Sequence, residues 1–255
     1  MKRRLVQTVV VVLMAFGVTV TSTVPASAVN PVAVIQVVKK LYDLYKQYAG
    51  NQGLSLADAT RQILAAIEAA KTDIVAEIDR VAAAEARACA HSAVIDVADI
   101  EAFSTDTLQA FARDTTACAS LIDSLLGSVS DLGAVDELGF ALNTVGPIAL
   151  IARSRAGFST TLLSSTLRHA NGTVVTRLEP SCYTTPEEPM GGGWWIIGIR
   201  CTAYDGTIAV VYPFGEYKVP LPPTSYFPEE LAESQAQATA LTSRAAAVAV
   251  LPLLP

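Results

Sequence analysis

The stretch TDTLQAFARDTTACASLIDSLLGSV, residues 105–129, places Leu108, Phe111, Thr115, Cys118, Ile122, Leu125 and Val129 in alternating steps of three and four, with Thr115 the one polar member. That spacing predicts a helix with a single buried seam. Upstream, Ser55 followed by Asp58 reads as a capping signal, and Leu56, Ile63, Ile67, Ile74, Ile78 and Val81 recur at helical spacing with alanine between them. No Pro or Gly interrupts residues 54–104. A single helix of that length would run on the order of 70 Å, so a bend is expected near residues 90–97. Glu85 interrupts the seam and is read as a solvated edge.

Phe103-Ser104-Thr105-Asp106 reads as a turn and N-cap, and Cys89 and Cys118 are equidistant from it. Two antiparallel helices reversing there bring the cysteines level. A bridge between them should stabilise the fold by roughly 3 to 4 kcal/mol on the chain-entropy model. Cys182 and Cys201 are likewise symmetric about Gly191-Gly192, inside a segment of strand-forming residues. Two local staples, Cys89–Cys118 and Cys182–Cys201, are therefore preferred over the two crossed pairings.

Residues 1–28 carry three basic residues, an uncharged run over residues 6–24 and then Pro-Ala-Ser-Ala, the pattern of a secretory leader cleaved after Ala28. Lys2-Arg3-Arg4 resembles a twin-arginine signal, but Leu5-Val6-Gln7 does not continue it, so the general secretory route is expected. No cysteine follows the cleavage site, which argues against a lipid anchor. The expectation is a secreted, extracellular protein, where cysteines pair. Without the leader's three basic residues, 15 basic residues face 24 acidic ones, a net charge of about −9. That balance disfavours nucleic acid and anionic lipid as partners.

Four segments are expected: a leader at 1–28, a helical bundle at 29–172, a β-meander at 173–220 and a C-terminal segment at 221–255. Asn30-Pro31 opens the bundle with a capping side chain and Pro at the first helical position. Tyr42, Tyr45 and Tyr48 are read as an amphipathic packing face whose hydroxyls reach water. Residues 138–152 carry no charge, are bounded by Asp136-Glu137 and Arg153-Ser154-Arg155, and hold Gly146-Pro147 at their middle. They are read as a buried central helix kinked or split at Pro147, too short to span a bilayer. Ala170-Asn171-Gly172 reads as a helix stop.

In the meander, Tyr204-Asp205-Gly206-Thr207 signals a two-residue hairpin, which would set Cys201 opposite Val210 and Ile199 opposite Tyr212, with Phe214 reaching Ile197. A first hairpin would turn through a loop at residues 186–193. Leu221-Pro222-Pro223-Thr224-Ser225 resembles a sortase signal with Ser in place of Gly, but no apolar run and basic tail follow, so it is read as a linker. One Ala-rich helix over residues 229–250 closes the chain, its apolar end frayed or laid along the bundle. The fold class is α+β, a mainly helical bundle with a long antiparallel helical hairpin and a small three-stranded antiparallel sheet that lays its apolar face on the bundle.

The motif content defines a scaffold rather than a chemistry. His91 and His169 belong to no G-x-S-x-G, H-E-x-x-H, P-loop or C-x-x-C arrangement. The acidic group Asp96, Asp99, Glu101 and Asp106 lacks the spacing of a calcium loop, and Glu187-Glu188 is read as solvated. No catalytic residue, metal or cofactor is expected. Alternation turns Trp195 toward the apolar face and Trp194 outward, so Trp194, Arg200 and Tyr204 are the candidate binding residues. The expected role is a binding protein for a protein or carbohydrate partner. The runner-up readings are a membrane-active protein that inserts residues 138–152 and an extracellular hydrolase without a recognisable motif.

Overall fold

The computed structural model describes residues 30–254, so the leader expected at residues 1–28 lies outside the described residues. Of the described residues 67% are helical, in eight helices, with a small antiparallel sheet near the C-terminus. The helices are α1 (Pro31–Ala49), α2 (Leu56–Arg80), α3 (Ala84–Asp96), α4 (Thr105–Ser128), α5 (Leu132–Arg155), α6 (Thr161–Arg177), α7 (Pro228–Ala238) and α8 (Ser243–Val250). The strands are β1 (Ser181–Gly191), β2 (Trp194–Thr202), β3 (Ile208–Val211) and β4 (Tyr217–Lys218).

Caps legible in the sequence are formed. Asn30, Ser55 and Ser104 each accept, through the side chain, the amide three residues on, and so does Asp131, a cap not expected from the sequence. The Cys89–Cys118 bridge ties α3 to α4 at a Cα separation of 5.7 Å.

The long helix breaks at Val81–Ala83 rather than near residues 90–97. No residue there is a helix breaker, and the cause is tertiary. Val81 is fully buried, the Ala82 amide donates to Glu137 Oε2 at 3.1 Å, and Arg87 Nη1 donates to the Val81 carbonyl at 3.2 Å. Backbone groups freed by the break therefore find side-chain partners. The helical hairpin is the α3–α4 pair, and α2 packs beside α1 and α5.

Helix α5 is the centre of the bundle, in contact with α1, α2, α3, α4, α6 and α8. Every residue from Leu138 to Ala152 is buried. Pro147 lies inside one continuous helix of 24 residues and does not split it, so the element is longer than the uncharged run suggests. Nor is Gly146 a hinge. A Cβ there would meet the Tyr42 hydroxyl and lie 3.0 Å from Leu167 Cδ2, so the absent side chain is the seat for the Tyr42 ring. Tyr42 and Tyr45 are both buried, and the Tyr42 hydroxyl, instead of reaching water, finds no hydrogen-bond partner among the described residues.

Helix α6 runs through Ala170-Asn171-Gly172 to Arg177, so the sheet begins at Ser181 and not at Thr173. Asn171 is no cap: its Nδ2 donates to the Leu167 carbonyl at 2.8 Å, and its Oδ1 accepts from Asn143 Nδ2 of α5 at 2.9 Å. A buried amide pair has taken the place of a helix stop.

The sheet has its own core. Ile197, Ile199, Cys201 and Ala203 of one face pack with Phe227 and Ala238, and α7 covers that face where the bundle was expected to. The expected C-terminal helix is correspondingly two, α7 on the sheet and α8 back in the bundle beside α1, α5 and α6. The tail lies along the bundle: Leu254 is buried and the Pro252 carbonyl accepts from Lys46 Nζ at 3.0 Å.

The tight seat at Gly146 gives a test. Gly146→Ala gains helix propensity of about 1 kcal/mol but overpacks Tyr42, at a cost of about 1–3 kcal/mol. The expected outcome in urea unfolding is a net loss of stability, smaller in the Tyr42→Phe background, where the hydroxyl is gone and only the ring carbon and Leu167 remain close. Equal effects of Gly146→Ala in both backgrounds would refute the packing.

Candidate functional site

The register of the sheet decides what its two faces offer. Cys182 pairs with Cys201, and their disulfide has a Cα separation of 4.1 Å. Strand β1 continues through Pro186 to Gly191 where a loop was expected, with register shifts at Pro186/Glu188 and Pro189/Gly191. An edge strand tolerates prolines at such irregularities. On the other side Cys201 pairs with Ala209 and Ile199 with Val211, one residue out from the expected register. The turn holds three residues between Ala203 and Thr207, with Gly206 at φ +86° where a side chain would be strained. A one-residue slip exchanges faces. Ala209 and Val211 therefore point at α7, whereas Tyr212 is exposed and Phe214 is wholly exposed instead of packing on Ile197.

Odd-numbered residues of β2 face α7, Trp195 among them, and even-numbered ones form the outer face. Trp194 and Arg200 both lie on that outer face, six residues and about 20 Å apart. Trp194 is 40% exposed, with Lys218 Nζ 4.7 Å above its ring. Arg200 sits opposite Tyr183, which is 51% exposed. Glu187 is not solvated as expected. Its side chain lies over Gly198, where a Cβ would come 3.0 Å from Oε1. That oxygen accepts from Thr185 Oγ1 at 2.5 Å and from Arg200 Nη2 at 3.4 Å. Sequence reasoning missed Glu187 because residues 186–193 read as a loop; with β1 extended to Gly191, alternation from Tyr183 and Thr185 puts it on the outer face.

The structure separates Tyr204 from the other two candidates. It reaches the bundle, where its hydroxyl donates to Asp136 Oδ2 at 2.9 Å, and the Ser243 amide at the start of α8 donates to Oδ1 at 2.6 Å. Asp136, 5% exposed, thus joins α5, the β2–β3 turn and α8. Glu77 of α2, 2% exposed, lies nearby with Arg80 Nη1 at 3.4 Å. Burial pushes the Glu77 carboxyl up, and Asp136, Glu137 and Asp73 add to this against the pull of Arg80. Burial also raises Asp136, opposed by the Ser243 and Tyr204 hydrogen bonds and by Arg80. Tyr204 is raised by burial and by the Asp136 charge. A signal for this junction existed in the sequence: Glu77 shares the seam of Ile74, Ile78 and Val81.

Each histidine is paired with a carboxylate, His91 Nε2 with Asp79 Oδ1 at 2.7 Å and His169 Nδ1 with Asp123 Oδ1 at 2.8 Å. Among the described residues neither imidazole is hydrogen-bonded to a hydroxyl side chain, and no group of three or more His, Cys, Asp or Glu side chains is arranged to hold a metal ion. No protein family model, curated protein or solved structure matches the chain.

The junction carboxyls have a pH signature. Both bind a proton more tightly when folded, so their stabilising contribution is complete below the ordinary values of 4.5 for glutamate and 3.8 for aspartate and declines as pH rises through the raised values. Urea unfolding of the parent and Glu77→Gln at about pH 4.5, 6 and 7.5 should show the variant gaining on the parent as pH rises. A difference independent of pH would refute the raised value.

Proposed function

We propose that the protein is an exported, disulfide-stapled binding protein without catalytic groups, and that the outer face of its sheet is the ligand surface. Export is supported by the leader pattern at residues 1–28 and by two disulfides compatible with an extracellular setting. One observation carries the ligand surface: exposed large apolar side chains concentrate on the sheet and its connector. Tyr183, Met190, Trp194, Ile208, Tyr212, Phe214, Val219 and Tyr226 are all exposed, while the bundle, with far more residues, exposes only scattered ones such as Ile95 and Leu162. Such concentration on one unit is the mark of an interaction surface. Aromatic side chains beside a glycine-rich turn add recognition area at low conformational cost.

The alternative of membrane insertion draws less support. Helix α5 has the length and apolarity to cross a bilayer, but its most apolar window is 89% buried. Releasing it would strip Tyr42 from Gly146, part the Asn143–Asn171 pair and break both hydrogen bonds to Asp136.

The test is retention of secreted and cell-envelope macromolecules on the immobilised secreted chain. Trp194→Ala should weaken retention of the recovered ligands by about tenfold or more, as expected for an aromatic anchor. Full retention of every ligand by this variant would take Trp194 out of the ligand surface, and full retention by Arg200→Ala as well would overturn the assignment.

A further inference from the structure

Resting on the outer-face reading, we infer that Tyr183, Thr185, Glu187 and Arg200 form a subsite for a neutral sugar unit, read through two adjacent hydroxyl groups. The geometry begins at Gly198. Because that position has no Cβ, the Glu187 side chain lies flat across the strand and meets Arg200 from β2 and Thr185 from β1. Glu187 and Arg200 are half-buried, with side-chain exposures of 24% and 31%. Oε1 of Glu187 is used by the protein, whereas Oε2 and the remaining guanidinium donors of Arg200 have no partner among the described residues. A fixed acceptor and a fixed donor therefore stand side by side at the surface.

That pairing selects a ligand class. The site is neutral as a pair and the whole chain is acidic, at −6, so no field attracts a phosphate or carboxylate polymer. An apolar protein segment laid over the pair would desolvate both charges without replacing their hydrogen bonds to water. Adjacent hydroxyls both donate and accept, so one satisfies Glu187 Oε2 and its neighbour satisfies Arg200. The Tyr183 ring, directly across from Arg200, supplies a flat apolar surface for the C–H face of the ring. Trp194 at the far end of β2 offers a second ring on the same face, which suits an extended glycan over a single sugar.

The experiment is affinity electrophoresis of the secreted chain through gels holding soluble α-mannan or α-glucan, each intact and after periodate oxidation. Periodate cleaves the bond between carbons that bear adjacent hydroxyls and removes the recognised feature. Retardation is expected with at least one intact polymer and is lost with its oxidised form. Arg200→Ala, Glu187→Gln and Tyr183→Ala each weaken it by about tenfold, with unchanged thermal melting for Glu187→Gln and Tyr183→Ala. No retardation by any intact polymer, or retardation that survives oxidation or these substitutions, overturns the sugar subsite. If protein ligands are at the same time lost in Trp194→Ala, the outer-face reading stands without it. Periodate-sensitive retardation lost in Glu187→Gln, with no ligand responding to Trp194→Ala, leaves the subsite and removes Trp194 from the ligand surface.

Discussion

A helix that is apolar on every side must be covered on every side, and in this protein that requirement falls on α5. From Leu138 to Ala152 no face is left for water, so six other helices are drawn around one axis. Its non-standard positions are fitted to particular neighbours. Gly146 receives the Tyr42 ring, Gly139 lies against Ser243 of α8, and Asn143 Nδ2 donates to Asn171 and to its own helix, while its Oδ1 has no partner among the described residues. An unpaired amide at that depth would cost several kcal/mol, so the register of α6 against α5 is tied to this one contact as much as to volume filling.

The sheet is an excursion from that bundle. After α6 the chain builds four strands, covers their inner face with α7 and returns to insert α8 beside α1 and α5. Its core is only a few side chains around Ile197, Ile199 and Phe227. A core that small stabilises weakly on its own, and the Cys182–Cys201 bridge compensates by restricting the unfolded chain. Attachment to the bundle runs through Tyr204 and the buried Asp136, a polar contact whose strength depends on protonation. The unit that carries the exposed aromatics is thus joined to the rigid part by a contact of a different kind from those that hold the bundle together.

What the sequence made legible follows the range of the interaction concerned. Local signals translated directly: Asn30, Ser55 and Ser104 cap the helices they precede, and the symmetric cysteine spacings mark two hairpins. Failures came where a distant partner overrides a local preference. Asn171-Gly172 has the composition of a stop, but Asn143 of α5 holds Asn171 in the helix. Residues 81–83 carry no breaker, yet burial of Val81 and the reach of Glu137 open the helix there. Of the candidate site, Trp194 and Arg200 fall on one face by strand alternation, while Glu187 depends on β1 continuing where a loop was expected and Tyr204 on a contact 68 residues away in the chain.

Register explains why the outer face is left uncommitted to the core. The Cys182–Cys201 bridge joins directly opposed residues on the face that α7 covers. A slip of one residue between β1 and β2 would send the two sulfurs to opposite faces, so the bridge defines which side chains point outward as well as adding stability. With Ile197, Ile199 and Cys201 committed inward, burial against α7 makes no demand on Arg200, Trp194 or Tyr183 beyond strand propensity. Aromatic rings and a charged pair held over a glycine at such positions are more than a solvated strand requires. Their arrangement is set by strand alternation, the missing Cβ at Gly198 and cross-strand pairing together, and the proposed recognition surface rests on all three.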